Sequence, residues 1–257
     1  MPTWDPTTYL RYADERSRPF ADLVARVPGE PAHVVDLGCG PGHLSAMLLA
    51  RWPAARIQGI DSSPEMIERA RSDNTDERVT YSVGDVRDWR TDTPVDLLVS
   101  NATFQWVPGH LEVLPRLAQR VAPGGAFAWS VPGNFDQPSH VILRNLAADS
   151  RFAEHAGDVV HPHAHDPMTY LYAVGGPGWH VDAWETTYLH VLQGPDPVFR
   201  WVSGTGARPI LQALTAELRD EFVKDYKAQL AQAYPARPFG TVLPFRRVFV
   251  VASRTNR

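Results

Sequence analysis

The sequence predicts an α/β protein with a doubly wound, mostly parallel β-sheet. Through residues 34–131, short apolar runs rich in β-branched residues alternate with segments of helical periodicity. The first run ends in the glycine-rich turn at residues 38–42, which is typical of a buried strand that leads into a helix. Residues 95–101 are almost unbroken in their apolar character, which favours a central strand covered on both faces.

The first half of the chain divides into strand and helix pairs. Helix starts are recognisable from capping residues, as at Ser62, where Pro64 and Glu65 complete a first-turn pattern. We expect, in order, strand 34–38, helix 44–52, strand 57–60, a helix from residue 62, strand 79–83, strand 95–101, helix 110–121 and strand 126–131. In such a sheet, ligands bind beyond the carboxyl ends of the strands.

The pattern changes after Gly133, where clusters of proline and glycine separate shorter helical segments. We predict helices at 138–149, 166–174 and 209–234, and strands at 180–191 and 242–253. The expected organisation is an N-terminal lid segment (1–30), a cofactor-binding core (31–132), a helical substrate cap (133–178), and the remaining core strands and helix with cap contributions (179–257).

Composition narrows the class of partner. The chain has 257 residues, a hydrophobic fraction of 44% and a net charge of −4, so it can bury a large core but has no basic surface excess that would favour nucleic acid. A single cysteine, Cys39, excludes an intrachain disulfide and favours the cytoplasm. No apolar leader and no run of about 20 apolar residues is present, so we expect no membrane partner. A small molecule is the expected partner, and the oligomeric state stays open.

Three acids fall where strands of the predicted sheet end. Asp36 lies inside the strand end, where it would repel a diphosphate and suit a ligand that carries an ammonium group. Asp61 ends the second strand, where a carboxylate can accept hydrogen bonds from ribose hydroxyls. Asp85 follows the end of the third strand. The alternative role of Asp61 is a charge at a helix N-terminus, and the alternative role of Asp85 is that of an exposed turn residue. His43 replaces the third glycine of a dinucleotide site, so the pattern favours S-adenosylmethionine.

The segment Asp36 to Gly42 resembles the first motif of the Rossmann-like S-adenosylmethionine-dependent methyltransferases. This resemblance implies a seven-stranded sheet whose last strand is antiparallel and whose last two strands form the far edge. It also implies that an acid at Asp85 meets the adenine amino group and that a neighbouring main-chain N–H, at Val86, meets the ring. The implied cofactor contacts are Asp36, Gly38, Gly40, Gly42, Asp61, Ser62, Asp85, Val86, Asn101 and Phe104. Asn101 and Phe104 are candidates to line the methionine portion, although Asn101 is equally suited to cap a turn.

Three further segments resemble the trans-aconitate methyltransferases: residues 4–20, 101–107 and 131–140. In that family the methyl group goes to a carboxylate of trans-aconitate and gives a monomethyl ester. A carboxyl group with a pKa of about 4 is ionised at pH 7, so it already carries the lone pair that displaces the methyl group. We therefore predict no catalytic base, only proximity and orientation.

A polycarboxylate substrate needs cations, and the planar fork of arginine suits carboxylates best. Only Lys224 and Lys227 among the 25 basic residues are lysines. A GC-rich genome is an alternative reason for this excess, so position decides. We expect Arg208 and Arg144 to bind the substrate first of all; the other candidates are Tyr9, Tyr12, Arg16, Trp106, Asn134 and Arg246.

Two other functions stay open at this point. One is an O- or N-methyltransferase for a neutral metabolite in which His140 or His165 removes a proton. The other is a protein that binds S-adenosylmethionine without transferring its methyl group. The alternating histidines 161, 163 and 165 suggest a metal site, but the intervening proline and the incomplete ligand set argue against it. We predict no metal.

Overall fold

The computed structural model describes residues 13–256, with side chains from residue 17 onward. The chain forms two compact units. Within the described residues, the first unit holds residues 13–132, Ala164–Thr186 and 247–256, and the second holds Gly133–His163 and Thr187–Arg246. This division differs from the expected cap at 133–178, because residues 164–178 belong to the unit that contains the sheet and the other unit extends to residue 246.

The described residues form one seven-stranded sheet with the order β3-β2-β1-β4-β5-β7-β6. Strands β1 to β5 pair in parallel, and β7 runs antiparallel to β5. The strands are β1 His33–Leu37, β2 Arg56–Asp61, β3 Val79–Val83, β4 Val95–Asn101, β5 Val121–Pro132, β6 Trp179–Leu192 and β7 Thr241–Arg254. The predicted fold class is confirmed, including the antiparallel last strand and the far edge formed by β6 and β7.

The order in which successive strands are added to the sheet reverses between β1 and β4, which are parallel neighbours although β2 and β3 lie between them in sequence. Such a switch point opens a crevice at the carboxyl ends of the two strands. The helices of the first unit, numbered in chain order over the whole protein, are α1 Ala13–Ala25, α2 Ser45–Arg51, α3 Pro64–Asp73, α4 His110–Ala118 and α7 Pro167–Val174.

The start of α3 differs from the expectation by one residue. Ser63, not Ser62, is the N-cap, and its hydroxyl accepts a hydrogen bond from the backbone N–H of Met66 at 3.2 Å. Pro64 occupies the first turn, where its missing N–H costs nothing. Ser62 is thereby left outside the helix, in the loop that follows β2.

The two faces of the sheet are covered differently. On one face, alternate residues of β5 such as Phe127 and Trp129 join an apolar cluster with side chains of α4 and α7. On the other face, the Trp184 ring stacks on Phe249 with 4.9 Å between centroids, and the guanidinium of Arg26, the residue after α1, lies 3.9 Å above the Trp184 ring. Helix α1 also packs against β5. Both faces of the central strands are thus covered by packed side chains, as their apolar character predicts.

The second unit is helical apart from the last residues of β6 and the first residues of β7. Its helices are α5 Pro138–Ala147, α6 Ala153–Ala156, α8 Pro197–Ser203, α9 Arg208–Ala213 and α10 Ala216–Ala233. The predicted single helix at 209–234 is interrupted, because Thr215 caps α10 through a hydrogen bond from the N–H of Leu218 at 3.4 Å. Helices α5 and α10 are joined by the Tyr226 hydroxyl, which donates to the Ser139 carbonyl at 2.7 Å.

Among the helices of residues 13–256, none is long and apolar enough to cross a membrane.

Candidate active site

The turn after β1 has the geometry that its glycines permit. Gly38, Gly40 and Gly42 all have positive φ angles of 78°, 55° and 76°, which side chains with a Cβ rarely adopt. A Cβ on Gly38 would lie 1.9 Å from Thr103 Oγ1, so this position is also closed by packing. Around Gly40 no atom lies within 4 Å of a Cβ position, so the middle of the turn faces open space.

Tyr81 of β3 holds the end of this turn in place through its hydroxyl group. Its ring passes over Gly59 of β2, where a Cβ would lie 2.5 Å from the ring. The Tyr81 hydroxyl is hydrogen-bonded to the Ser45 hydroxyl at 2.9 Å and donates to the Gly42 carbonyl at 3.2 Å. The missing side chain of Gly59 therefore lets a residue two strands away fix the end of the glycine turn.

Asp36 lies beneath the turn with only 2% of its surface exposed. Its Oδ2 has no hydrogen-bond partner in the described part of the chain. Burial, and then the nearby carboxylate of Asp61, raise the pKa of Asp36 to about 7. A buried carboxylate oxygen without a donor is costly, so an open glycine turn beside it fits a ligand that brings a cationic donor.

Asp61 connects the loops that follow β1 and β2. Its carboxylate accepts hydrogen bonds from the backbone N–H of Gly40 at 2.9 Å and of Ser63 at 2.9 Å. Burial raises the pKa of Asp61, and the bonds from Ser63, Gly40 and Ser62 oppose that rise. Asp36, the glycines, Asp61 and Ser62 are thus brought together at one edge of the sheet, as expected of neighbouring parallel strands.

Asp85 and Val86 follow β3 at the same edge, where the N–H of Gly84 donates to the Asp61 carbonyl at 2.9 Å. The Asp85 carboxylate is paired with the guanidinium of Arg87, at 2.6 Å for the shorter contact. The Asp85 carboxylate also accepts a hydrogen bond from the backbone N–H of Arg87 at 2.8 Å, which is the geometry expected of an aspartate in a turn. The hydrogen bond from Arg87 holds the pKa of Asp85 below its usual range. Val86 is buried.

Asn101 ends β4 and belongs to a buried polar cluster. Its Oδ1 accepts a hydrogen bond from the Ser130 hydroxyl at 2.7 Å and from Arg247 Nη2 at 3.1 Å. Ser130 is fully buried and Arg247 is 4% exposed. The alternative role of Asn101 as a turn cap through its side chain is not what the structure shows, because the side-chain oxygen is committed to β5 and β7.

Phe104 has a different placement from the expected one. Its side chain is fully buried, with ring centroids 6.0 Å from Phe127 and 6.3 Å from Trp129. The structure therefore places Phe104 in the core and not on a surface that a cofactor would reach. Trp106, two residues further along the same 3-10 turn, is half-buried.

The remaining candidates for substrate binding are divided between the described units. Asn134, Arg144, Arg208 and Arg246 belong to the second unit, whereas Arg16 lies in α1 of the first. Arg144 Nη1 donates to the Phe135 carbonyl at 2.7 Å. Arg246 Nη1 donates to the Gly133 carbonyl at 3.1 Å.

Asn134 is 2% exposed, and its Oδ1 has no hydrogen-bond partner within the described ranges. The side chain of Arg16 and all of Tyr9 and Tyr12 lie outside the described residues.

The two histidines considered as bases lie in unlike surroundings. His140 is 8% exposed, and burial together with the charges of Arg144 and His161 lowers its pKa to about 4. His165 packs its ring 5.2 Å from that of His110, beside the core helices. Within residues 13–256, no group of three His, Cys, Asp or Glu side chains is placed to hold a metal ion.

Three residues of this site were not anticipated from the sequence: Tyr81, Ser130 and Arg247. Arg247 had the clearest signal, since it is a charge within an apolar strand and neighbours the predicted candidate Arg246. Adjacent residues of a strand point to opposite faces of the sheet. Only one of these two arginines can therefore face the Asn101 side chain, and strand register decides which one. Tyr81 and Ser130 resemble ordinary strand residues and gave no such signal.

A family model described as a methyltransferase domain matches residues 34–125. Trans-aconitate 2-methyltransferase of Streptomyces avermitilis is 50% identical to this chain, and the match covers 99% of the chain and 98% of that protein. The protein of the same name from Rhodococcus jostii is 46% identical, with 97% of this chain and 98% of that protein covered.

Solved structures give the same fold at lower identity. An S-adenosylmethionine-dependent methyltransferase from Mesorhizobium loti is similar with a TM-score of 0.54 and 20% identity, and 94% of this chain and 99% of that chain are covered. The geranyl diphosphate C-methyltransferase of Streptomyces coelicolor has a TM-score of 0.51 and 16% identity, over 93% of this chain and 77% of that chain. At such identities these likenesses support the fold alone.

Proposed function

This chain belongs to the trans-aconitate 2-methyltransferase family, and from that premise we propose that it transfers the methyl group of S-adenosylmethionine to a carboxylate of trans-aconitate or a similar small polycarboxylate. The products are a monomethyl ester and S-adenosylhomocysteine. The observation that carries the proposal is the extent of the likeness, which includes the second unit, Gly133–His163 and Thr187–Arg246, and not only the domain at 34–125.

The residues at the carboxyl edge of the sheet fit the cofactor. Asp36 offers an unpaired, buried carboxylate oxygen that suits the ammonium group. Gly40 leaves open space at the turn, and Asp61 keeps acceptor capacity for ribose hydroxyls beyond its bonds from backbone N–H groups. S-adenosylmethionine supplies a methyl group on a sulfonium, which is electrophilic without activation by the protein.

The acceptor needs no proton removed, because a carboxylate is ionised at pH 7. This agrees with the poor suitability of His140 as a base, since its pKa of about 4 makes it a weak proton acceptor. The chain's task is to align the carboxylate oxygen, the methyl carbon and the sulfur. Alignment of this kind supplies about 7–11 kcal/mol in favourable intramolecular reactions.

Arginines of the second unit remain the proposed carboxylate ligands, with Arg208 and Arg144 first and Arg246 and Asn134 beside them. The hydrogen bond of Arg144 to Phe135 uses one of its five N–H groups. We propose that Tyr9, Tyr12, Arg16 and Trp106 complete the substrate site. The expected effect of Arg144→Ala or Arg208→Ala is a higher KM for the acid with nearly unchanged cofactor binding, and an unchanged KM in both variants would reject these assignments.

Purified protein with methyl-labelled S-adenosylmethionine and trans-aconitate tests the reaction directly. We expect a base-labile labelled ester and, at saturating S-adenosylmethionine, a rate that stays level from about pH 6 to 8, because no histidine titrates in the step. The absence of ester, together with tight cofactor binding in calorimetry, would favour a protein that binds the cofactor without turnover. A rate that rises around the histidine pKa on a neutral acceptor would favour the O- or N-methyltransferase.

The cytoplasm is the proposed location, on the composition of a chain with one cysteine, which is buried. Neither nucleic acid nor a membrane has a part in the proposed reaction.

A further inference from the structure

The inference concerns the orientation of the Asn101 amide at the carboxyl end of β4. An amide has one acceptor oxygen and two N–H donors on its nitrogen. Two buried side chains, those of Ser130 and Arg247, donate hydrogen bonds to Asn101 Oδ1, at 2.7 and 3.1 Å. Arginine has only donors, so the amide oxygen must face Arg247 and the amide nitrogen must face away.

Both partners of the oxygen are held by the sheet. Asn101 pairs with Ser130 in the β4 and β5 register, and Ser130 pairs with Phe249 of β7. Arg247 pairs with Pro132, two residues closer to the carboxyl edge of the parallel strands. All three polar side chains are more than 90% buried. The amide is therefore locked by backbone register, and a rotation would set its N–H groups against a guanidinium.

The amide nitrogen is left with its donors unused. Across residues 13–256, no hydrogen-bond acceptor is found for Asn101 Nδ2, and the residue keeps 8% of its surface exposed. Asn101 lies at the carboxyl end of β4, and β4 pairs with β1, the strand that leads into the glycine turn. A locked, unpaired donor with a buried positive charge behind it favours a group that offers lone pairs and negative charge.

Resting on the proposed function, we propose that Asn101 donates from Nδ2 to the acceptor carboxylate and that Arg247 and Ser130 are positioning residues for this contact. One carboxylate oxygen forms the bond to the methyl carbon while the carbon–sulfur bond breaks and its electron pair stays on sulfur, so no proton moves. The same arrangement disfavours an amine acceptor, whose N–H groups need an acceptor, and an ammonium group, which Arg247 repels. The locked amide thus selects a carboxylate over an amine.

Asn101→Asp tests the donor. The variant keeps an oxygen for Ser130 and Arg247 and replaces the outward donor by a second oxygen, which repels a carboxylate. We expect kcat/KM for trans-aconitate to fall about 100-fold or more, with the dissociation constant for S-adenosylmethionine within about threefold. Asn145→Asp, an identical change on the exposed surface of α5, is the control and should leave kcat/KM unchanged.

Ser130→Ala tests the lock in a chain that keeps Asn101. The loss of one of the two bonds to Oδ1 should raise KM for trans-aconitate about threefold to tenfold and leave KM for S-adenosylmethionine unchanged. A merely structural role would instead change both KM values or only the unfolding midpoint. Because Asn101→Asp alters a buried site, its melting curve is compared with that of Ser130→Ala.

The two proposals fail in different ways. If the wild-type protein forms no ester, the proposed function is overturned whatever the variants do. If the wild type forms ester and a folded Asn101→Asp variant keeps kcat/KM within about threefold, the assignment of Asn101 is overturned and the proposed function stands. A large loss in Asn101→Asp that equally weakens cofactor binding would move Asn101 to the cofactor site and also overturn the inference.

Discussion

Gly59→Ala is expected to damage the cofactor site from a distance, through Tyr81. Gly59 is buried in β2, and a Cβ there would lie 2.5 Å from Tyr81 Cδ1 and 2.9 Å from Cys39 Sγ. Neither neighbour has room to move freely, since Tyr81 is 8% and Cys39 3% exposed. The ring of Tyr81 must therefore shift, and its hydroxyl loses the contacts to Ser45 and to the Gly42 carbonyl.

The magnitude has two parts. Overpacking of a buried site costs about 1–3 kcal/mol, offset in part by about 0.5–1 kcal/mol because alanine is less free than glycine in the unfolded chain. The lost hydroxyl contacts add about 1 kcal/mol. We expect the free energy of unfolding to fall by about 1–3 kcal/mol. If the glycine turn loosens by the value of one hydrogen bond, the dissociation constant for S-adenosylmethionine rises about fivefold.

Urea unfolding and calorimetric binding of S-adenosylmethionine measure the two effects. Tyr81→Phe removes the hydroxyl and keeps the ring, so it should raise the dissociation constant as Gly59→Ala does but cost only about 1 kcal/mol of stability. The effects of the two changes on binding should not add in the double variant. Gly176→Ala is the matched control, because a Cβ there meets no atom within 4 Å. Gly59→Ala with unchanged stability and unchanged binding would refute the reasoning.

Three further predictions concern the stability of the folded protein. The folded apo-protein keeps a proton on Asp36 up to about pH 7, whereas an unfolded aspartate loses it near 3.8, so stability should fall by up to about 1.4 kcal/mol per pH unit between these values. Asp36→Asn should flatten this fall in urea titrations, and a slope equal to that of the wild type would contradict the pKa assignment. Phe104→Ala should cost about 3–5 kcal/mol of unfolding free energy, since a fully buried ring beside Trp129 leaves a cavity; a loss below about 1 kcal/mol would place Phe104 outside the core. Arg151→Met removes a contact of 2.6 Å to Glu221, but with 42% of the Arg151 side chain exposed it should cost less than about 1 kcal/mol and less still in high salt. A loss that is larger and independent of salt would show that packing, and not charge, is the contribution of Arg151.

Local pattern predicted most of the core and less of the second unit. The strands before residue 132 are short apolar runs whose ends are marked by acids and glycines, so their positions along the chain and the edge that holds the site follow from sequence alone. The predicted helix at 209–234 was wrong in its continuity, because helical periodicity does not reveal the cap at Thr215. Helix α1, Ala13–Ala25, was expected only as part of a lid segment, and the structure packs it against β5.

The site divides in the same way. Asp36, Asp61 and the glycines were predictable because neighbouring parallel strands bring their carboxyl ends to one edge. Phe104 was misplaced because a residue that follows a strand end can turn either outward or into the core, and its fate depends on partners such as Phe127 from another strand.

The sequence by itself determined the fold class, the family and the cofactor edge, since these depend on periodicity, glycine spacing and residues close together in the chain. Only the tertiary structure decided which way the Asn101 amide faces, because its orientation is set by Ser130 and Arg247, which lie 29 and 146 residues away in sequence. Hydrogen-bond direction across strands depends on register, and register between distant strands leaves no mark in the local pattern of a single chain.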